Sequence, residues 1–212
     1  MFIDSTIRKY MDQASAATPT PGGGSVSALA GALGATMACM SANYSVGKTK
    51  FTQAEALQVE TLLEKFVVAR ETLLRLTEED SRVYELLSAT LAMPRNTEQE
   101  KATRNAIMQT AVLNAMNVPL EVVRTCRSLS EELVVLADIG NRNLISDVGV
   151  AAVLAEASLR AAKLNVEVNL RYLKDEEKVA EVRKELEEAR TSAGANLRKV
   201  SEIVAKAIKG TP

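Results

Sequence analysis

The sequence predicts an all-α fold, a multihelical bundle of about seven helices, some of them long. Two observations support this. Apolar residues recur with a 3.6-residue period along nearly the whole chain, and no stretch of Val, Ile and Thr alternates with polar residues as a strand would. Proline is also scarce, with 5 residues, so few helices need be interrupted. At 212 residues, without a fixed repeat or a low-complexity linker, residues 1–212 are expected to form a single domain.

The first helix is expected over Ser5 to Ala17, with Ile3, Ile7, Tyr10, Met11 and Ala14 as its apolar face. Thr18-Pro19-Thr20-Pro21-Gly22-Gly23-Gly24 follows as a loop. Ser25 then caps an Ala-rich helix reaching about Tyr44. Ala28, Gly31, Gly34, Ala35 and Ala38 place small residues on one side of it, which lets another backbone come close. Val26 to Ala42 has the length of a short membrane span, but its Ala, Gly and Ser content reads as a helix packed inside protein.

Thr52 opens a long helix to about Ala92, carrying Leu57, Leu62, Leu63, Phe66, Leu73, Leu76, Val83, Leu86 and Leu87. Thr97 and Glu100 make a capping box for the next helix. Pro119 lacks the donor for the helical ladder, so that helix is expected to bend or end there, with a further one to about Asp138. Gly140-Asn141-Arg142-Asn143 stops it, and Ser146 or Asp147 caps a helix to about Leu173. The last helix, Asp175 to Lys209, carries charges along one side, the pattern of a solvated face with i,i+4 pairs.

Composition narrows the function. A formal net charge of −1 offers no basic face for nucleic acid, and 3% aromatics without Trp offers no base-stacking platform. Cys39 and Cys126 form no CxxC pair and are expected to be free and buried. The first residues, Met1-Phe2-Ile3-Asp4-Ser5, carry an acid where a secretory leader is basic, so a cytoplasmic protein is expected. There is no histidine. Ser-His-Asp and Cys-His hydrolases are thereby excluded, with nearly all zinc sites, and any proton transfer falls to Asp, Glu, Lys, Tyr, Cys or the substrate.

Four features are candidates for chemistry. Gly22, Gly23 and Gly24 remove every Cβ just before a helix, exposing N–H donors at the positive end of its dipole. Such a place suits an anion or a flat polar ring; a plain helix start that needs positive φ is the other explanation. Gly47-Lys48-Thr49 is no nucleotide loop, since Ala42 stands where GxxxxGK[ST] needs its first Gly and no strand precedes it. Lys48 and Lys50 remain a cationic spot for a carboxylate tail, or ordinary exposed lysines.

Asp80 lies on the apolar face set by Leu73, Leu76, Val83 and Leu87, with Tyr84 one turn on. An acid there is functional, protonated, or paired with an Arg on another helix. Asp147 and Asn165 share an azimuth, but eighteen residues of helix separate them by about 27 Å, so they cannot touch one reacting carbon. Asn165 and Asn169, one turn apart beside Leu164 and Val168, read as a buried amide pair or an interhelical latch.

Taken together, PTPGGGSVSALAGALGA, GKTKF, EEDSRVY and GNRNLISDVGVAA…NVEVNL resemble, in order and over nearly the whole chain, the formiminotetrahydrofolate cyclodeaminase/methenyltetrahydrofolate cyclohydrolase family. The resemblance implies an all-helical homodimer or higher assembly acting on a folate, without metal or other cofactor. It implies that Asp80 is the acid/base and that Gly22, Gly23, Gly24, Ser25, Lys48 and Asp147 line the cleft. The implied reaction converts 5-formimidoyltetrahydrofolate to 5,10-methenyltetrahydrofolate with release of ammonia. The alternative is hydrolysis of the methenyl compound to 10-formyltetrahydrofolate, which needs the same proton shuttle. Animal members carry a formiminotransferase domain in front; its absence here leaves hydrolysis open. A non-catalytic helical assembly protein is the rival from another class, but it has no reason for three glycines at a helix start or an acid on an apolar face. A folate-binding subunit without catalysis would keep the glycines and tolerate Asp80→Ala.

Overall fold

The computed structural model describes residues 1–47 and 51–210. Among them are six α-helices and no strand: α1 (Ile7–Ala14), α2 (Gly23–Asn43), α3 (Gln53–Leu91), α4 (Glu98–Ile139), α5 (Ile145–Leu170) and α6 (Glu176–Ile208), with a 3₁₀ turn at Arg142–Leu144. The fold is an all-α bundle. In it α2 packs on α3, α5 and α4, while α6 covers α4 and α5.

Local signals set most helix ends. Thr52 and Glu55 form a capping box at the start of α3, and Thr97 and Glu100 repeat it at α4. Asp175 caps α6 through the Lys178 N–H. Several ends differ from the sequence expectation. Thr6, not Ser5, caps α1, which stops at Ala14 and buries only Tyr10, leaving Ile7 and Met11 exposed. Ser25 does not cap α2; Gly22 holds that position without a side-chain bond, because the Ser25 hydroxyl is drawn to the Thr77 carbonyl at 2.8 Å. Neither Ser146 nor Asp147 caps α5, which grows directly out of the 3₁₀ turn behind Leu144.

Pro119 neither ends nor divides α4, which accounts for six helices rather than seven. The carbonyl that Pro119 cannot serve belongs to Ala115, and Asn169 on α5 donates its Nδ2 to it at 3.3 Å. The lost ladder bond is thus replaced from a neighbouring helix.

The small residues of α2 bring four helices to one point. A Cβ on Gly31 would lie 2.7 Å from Ser158 Oγ of α5, 2.9 Å from Cys126 Sγ of α4 and 3.2 Å from Leu73 Cδ1 of α3. Ala28, Ala35 and Ala38 beside it are fully buried. By length and composition α2 and α4 would pass as membrane spans, yet most of the apolar stretch of α2 is covered by its neighbours. Cys39 and Cys126 are free and buried; burial pushes the Cys126 thiol up to about 12, where it stays protonated and unreactive.

Candidate active site

The start of α2 meets the middle of α3 at a single carboxyl group. Asp80 Oδ2 accepts the Ser25 N–H at 2.9 Å. The missing Cβ of Gly24 provides the room: built there, it would stand 1.9 Å from Asp80 Oδ1 and 2.5 Å from its Cγ. None of the three glycines has positive φ, so it is space beside Asp80, at Gly24, and not a left-handed backbone, that the structure shows the run to provide. The anion that the exposed helix start attracts is therefore the protein's own carboxylate.

Two forces oppose each other on that group. Burial raises the Asp80 pKa and the hydrogen bond from the Ser25 N–H lowers it; burial is the larger, so the value lies above the ordinary carboxylate range. No Arg or Lys pairs with Asp80 among the described residues, which removes the structural ion pair as an explanation for an acid on this face. A second layer holds Ser25 in place. Its hydroxyl donates to the Thr77 carbonyl, so the Tyr10 hydroxyl, 3.0 Å away, donates to it in turn. Phe2 braces Tyr10 edge-to-face with ring centroids 5.9 Å apart.

Asp80 opens into a cavity of about 650 Å³ walled by α2, α3, α4 and α5. That is the size of an ordinary small-molecule pocket. Gly22, Gly23 and Gly24 form its end at α2. Asp80, Val83, Tyr84, Leu87 and Leu91 descend α3, and Arg104, Met108, Gln109 and Val112 face them from α4. Asn165 and Asn169 close the side from α5, with Tyr172 and Lys174 beyond it. Asn165 Nδ2 donates to the Ala161 carbonyl, and its Oδ1 would lie 3.3 Å from a Cβ on Gly23. Asp80 is the only acid among the described lining residues; Arg104 and Lys174 are the only cations.

The residues singled out from the sequence therefore separate. Asp80, Gly22, Gly23 and Gly24 come together at one end of the cavity; Ser25 stands behind them and reaches Asp80 through its backbone. Tyr84 lines the same wall without a hydrogen bond to Asp80 among the described contacts. Lys48 and Lys50 lie outside the described residues. Asp147 is away from the cavity, in the first turn of α5, whereas Asn165 sits near that helix's other end. Arg104, Gln109 and Lys174 escaped the sequence reading. Their spacing across α4 and the α5–α6 link follows no motif, and only the α4 positions 104, 108 and 112, one turn apart, hinted at a shared face.

Comparison with known proteins follows the same geometry. The sequence model of the formiminotransferase-cyclodeaminase family matches residues 6–188. A methenyltetrahydrofolate cyclohydrolase from Methylorubrum extorquens is 38% identical over 201 residues, covering 95% of this chain and 96% of that protein. The formimidoyltransferase-cyclodeaminase of Rattus norvegicus is 31% identical over 174 residues, 82% of this chain, which spans only 32% of the rat protein. The crystal structure of formiminotetrahydrofolate cyclodeaminase from Thermotoga maritima superposes with a TM-score of 0.87 and 28% identity, over 98% of this chain and 100% of that one. With the family model matched across most of its length, the chain belongs to the formiminotransferase-cyclodeaminase family.

Proposed function

We propose that this protein is a folate one-carbon enzyme acting at the carbon that bridges N5 and N10 of tetrahydrofolate. One observation carries the reading. A lone carboxyl group, Asp80, is pinned by the Ser25 N–H on one oxygen, turns its other oxygen past Gly24, and has a pKa raised by burial. A carboxyl whose pKa is raised in this way can take a proton in one step and return it in the next.

In hydrolysis, water adds to the methenyl carbon while Asp80 accepts its proton. The tetrahedral carbon then breaks its bond to N5, which takes that proton back, while the new hydroxyl releases its remaining proton to solvent and becomes the carbonyl of 10-formyltetrahydrofolate. In cyclodeamination, N10 attacks the formimidoyl carbon, its proton passes to Asp80, and the same carboxyl protonates the departing nitrogen as ammonia. Neither route needs a metal or a further cofactor, in keeping with a chain that has no histidine. Val83, Leu87, Met108 and Val112 offer an apolar wall to the aminobenzoyl ring.

We place hydrolysis first because the higher identity, 38% over nearly the full length of both proteins, stands behind it. The Thermotoga likeness favours cyclodeamination as the second reading. Absorbance of methenyltetrahydrofolate separates them: hydrolysis accelerates its loss, cyclodeamination forms it from the formimidoyl compound with ammonia. If neither rate exceeds the uncatalysed one, the proposal fails.

The working form we propose is a single-domain cytoplasmic homodimer that binds neither nucleic acid nor membrane. Val26, Leu33, Val150, Val153, Leu164 and Val168 are exposed on the adjacent helices α2 and α5, an apolar stripe of the kind that subunits bury. Light scattering at micromolar concentration giving a mass near 22.8 kDa would reject the dimer.

A further inference from the structure

The cavity is polarised along its length. Asp80 stands at the glycine end, and the two cations stand beyond an apolar stretch. Arg104 marks the distance: its Nη2 donates to the Leu91 carbonyl at 3.4 Å. Leu91 is eleven residues past Asp80 on α3, which at 1.5 Å per residue sets it about 16 Å further along that helix. Arg104 Nε is buried and has no hydrogen-bond partner among the described residues. A buried donor without an acceptor is rare in a finished structure and sets this side chain apart from the other arginines. Arg is also the side chain whose fork of donors fits a carboxylate.

Lys174 is brought to the same end by a clamp. Gln109 donates its Nε2 to the Tyr172 carbonyl at 3.1 Å and accepts the Lys174 N–H on Oε1 at 2.8 Å. Both halves of one amide thus fix the α5–α6 link against α4. Neither cation forms an ion pair with any described acid, although thirteen such pairs occupy the surface elsewhere.

We propose that Arg104 and Lys174 form the subsite for the carboxylates of the substrate's glutamyl tail, and so set affinity for glutamylated over unglutamylated folates. This rests on the function proposed above. A folate carries its reacting carbon at one end, an uncharged aminobenzoyl ring next, and carboxylates at the other end. The cavity presents a proton shuttle, an apolar corridor and two cations in that order. The sequence had pointed to Lys48 and Lys50 for the tail; they lie outside the described residues, and the cations that line the described cavity are Arg104 and Lys174.

The test uses Arg104→Met and Lys174→Met, each with two substrates: 5,10-methenyltetrahydrofolate and its pteroate counterpart, which lacks the glutamate. With the glutamylated substrate each variant raises KM by about tenfold, the loss of one charge-assisted hydrogen bond, and kcat stays within about threefold of the parent. With the pteroate the parent's own KM is already high and neither variant raises it further. A KM that rises equally for both substrates, or for neither, overturns the assignment. Calorimetric titration with p-aminobenzoylglutamate, against p-aminobenzoate, reads the subsite without turnover. If the parent is inactive but both variants bind the glutamyl compound about tenfold more weakly, the catalytic reading has failed and the subsite stands. Equal affinity in parent and variants sinks the subsite. Melting temperatures near the parent's show that Arg104→Met has not simply loosened the α3–α4 turn.

Discussion

Adding one methyl group at Gly24 tests the proposed catalytic geometry without removing a polar atom. The backbone there has ordinary negative φ, so alanine fits it, and replacing glycine inside a helix gains roughly 0.5–1 kcal/mol in backbone entropy. The obstacle is the carboxyl group. An alanine Cβ would lie 1.9 Å from Asp80 Oδ1, and ordinary contact begins at about 3.4 Å, so the carboxyl must retreat by about 1.5 Å. That displacement breaks the 2.9 Å bond from the Ser25 N–H and swings the acid away from the glycine end of the cavity. Misplacing a catalytic group by about 1 Å can cost 10²-fold in rate. Gly24→Ala is therefore expected to lower kcat about 10²-fold or more while melting within a few degrees of the parent. Turnover is followed by methenyltetrahydrofolate absorbance, and Gly23→Ala is the control. At Gly23 the nearest atom to an added Cβ is Asn165 Oδ1 at 3.3 Å, which an amide can yield. If Gly24→Ala keeps turnover within about threefold of the parent, far short of that misplacement penalty, the position of Asp80 is not what the chemistry depends on.

Asp80→Asn keeps the acceptor for Ser25 but cannot carry a proton, so turnover should fall by roughly 10²–10⁴-fold with folate affinity retained. Because burial raises the Asp80 pKa, folding favours its protonated form and the charged form is a liability at neutral pH. The Asn variant should then melt higher than the parent near pH 7, with the gap closing as pH falls through the raised value toward the ordinary carboxylate range; a variant that melts lower at pH 7 would contradict this. Gly31→Ala forces contacts under 3 Å with Ser158 and Cys126, and should cost about 1–3 kcal/mol by denaturant titration; an unchanged midpoint would deny the close approach of helices. Asn169→Leu leaves the Ala115 carbonyl unpaired opposite Pro119, at a cost of about 1–3 kcal/mol, and adding Pro119→Ala should recover part of it by restoring a ladder donor. Simple additivity of those two substitutions would show that Asn169 does not stand in for the missing N–H.

What could be read from the residues in order was whatever short-range physics controls. The capping boxes at Thr52 and Thr97 link residues three apart, so the starts of α3 and α4 were legible, as was the all-helical class from the 3.6-residue period. The position of Asp80 on an apolar face and the oddity of three glycines before a helix were legible for the same reason. That those two features are one feature was not. The carboxyl occupies the space left by Gly24, and fifty-five residues separate Asp80 from the Ser25 N–H it accepts. The fate of Pro119 likewise rested on Asn169, fifty-four residues beyond Ala115, and Ser25 lost its capping role to a carbonyl on α3. Arg104 and Lys174 face one cavity only because Gln109 ties the α5–α6 link to α4, whereas Asp147, on the same helix as Asn165, was left at its far end. Helix identity follows from neighbours within a turn, but a buried charge, a missing donor and a pair of cations find their partners only when distant helices pack, because the energies that place them act through space and not along the chain.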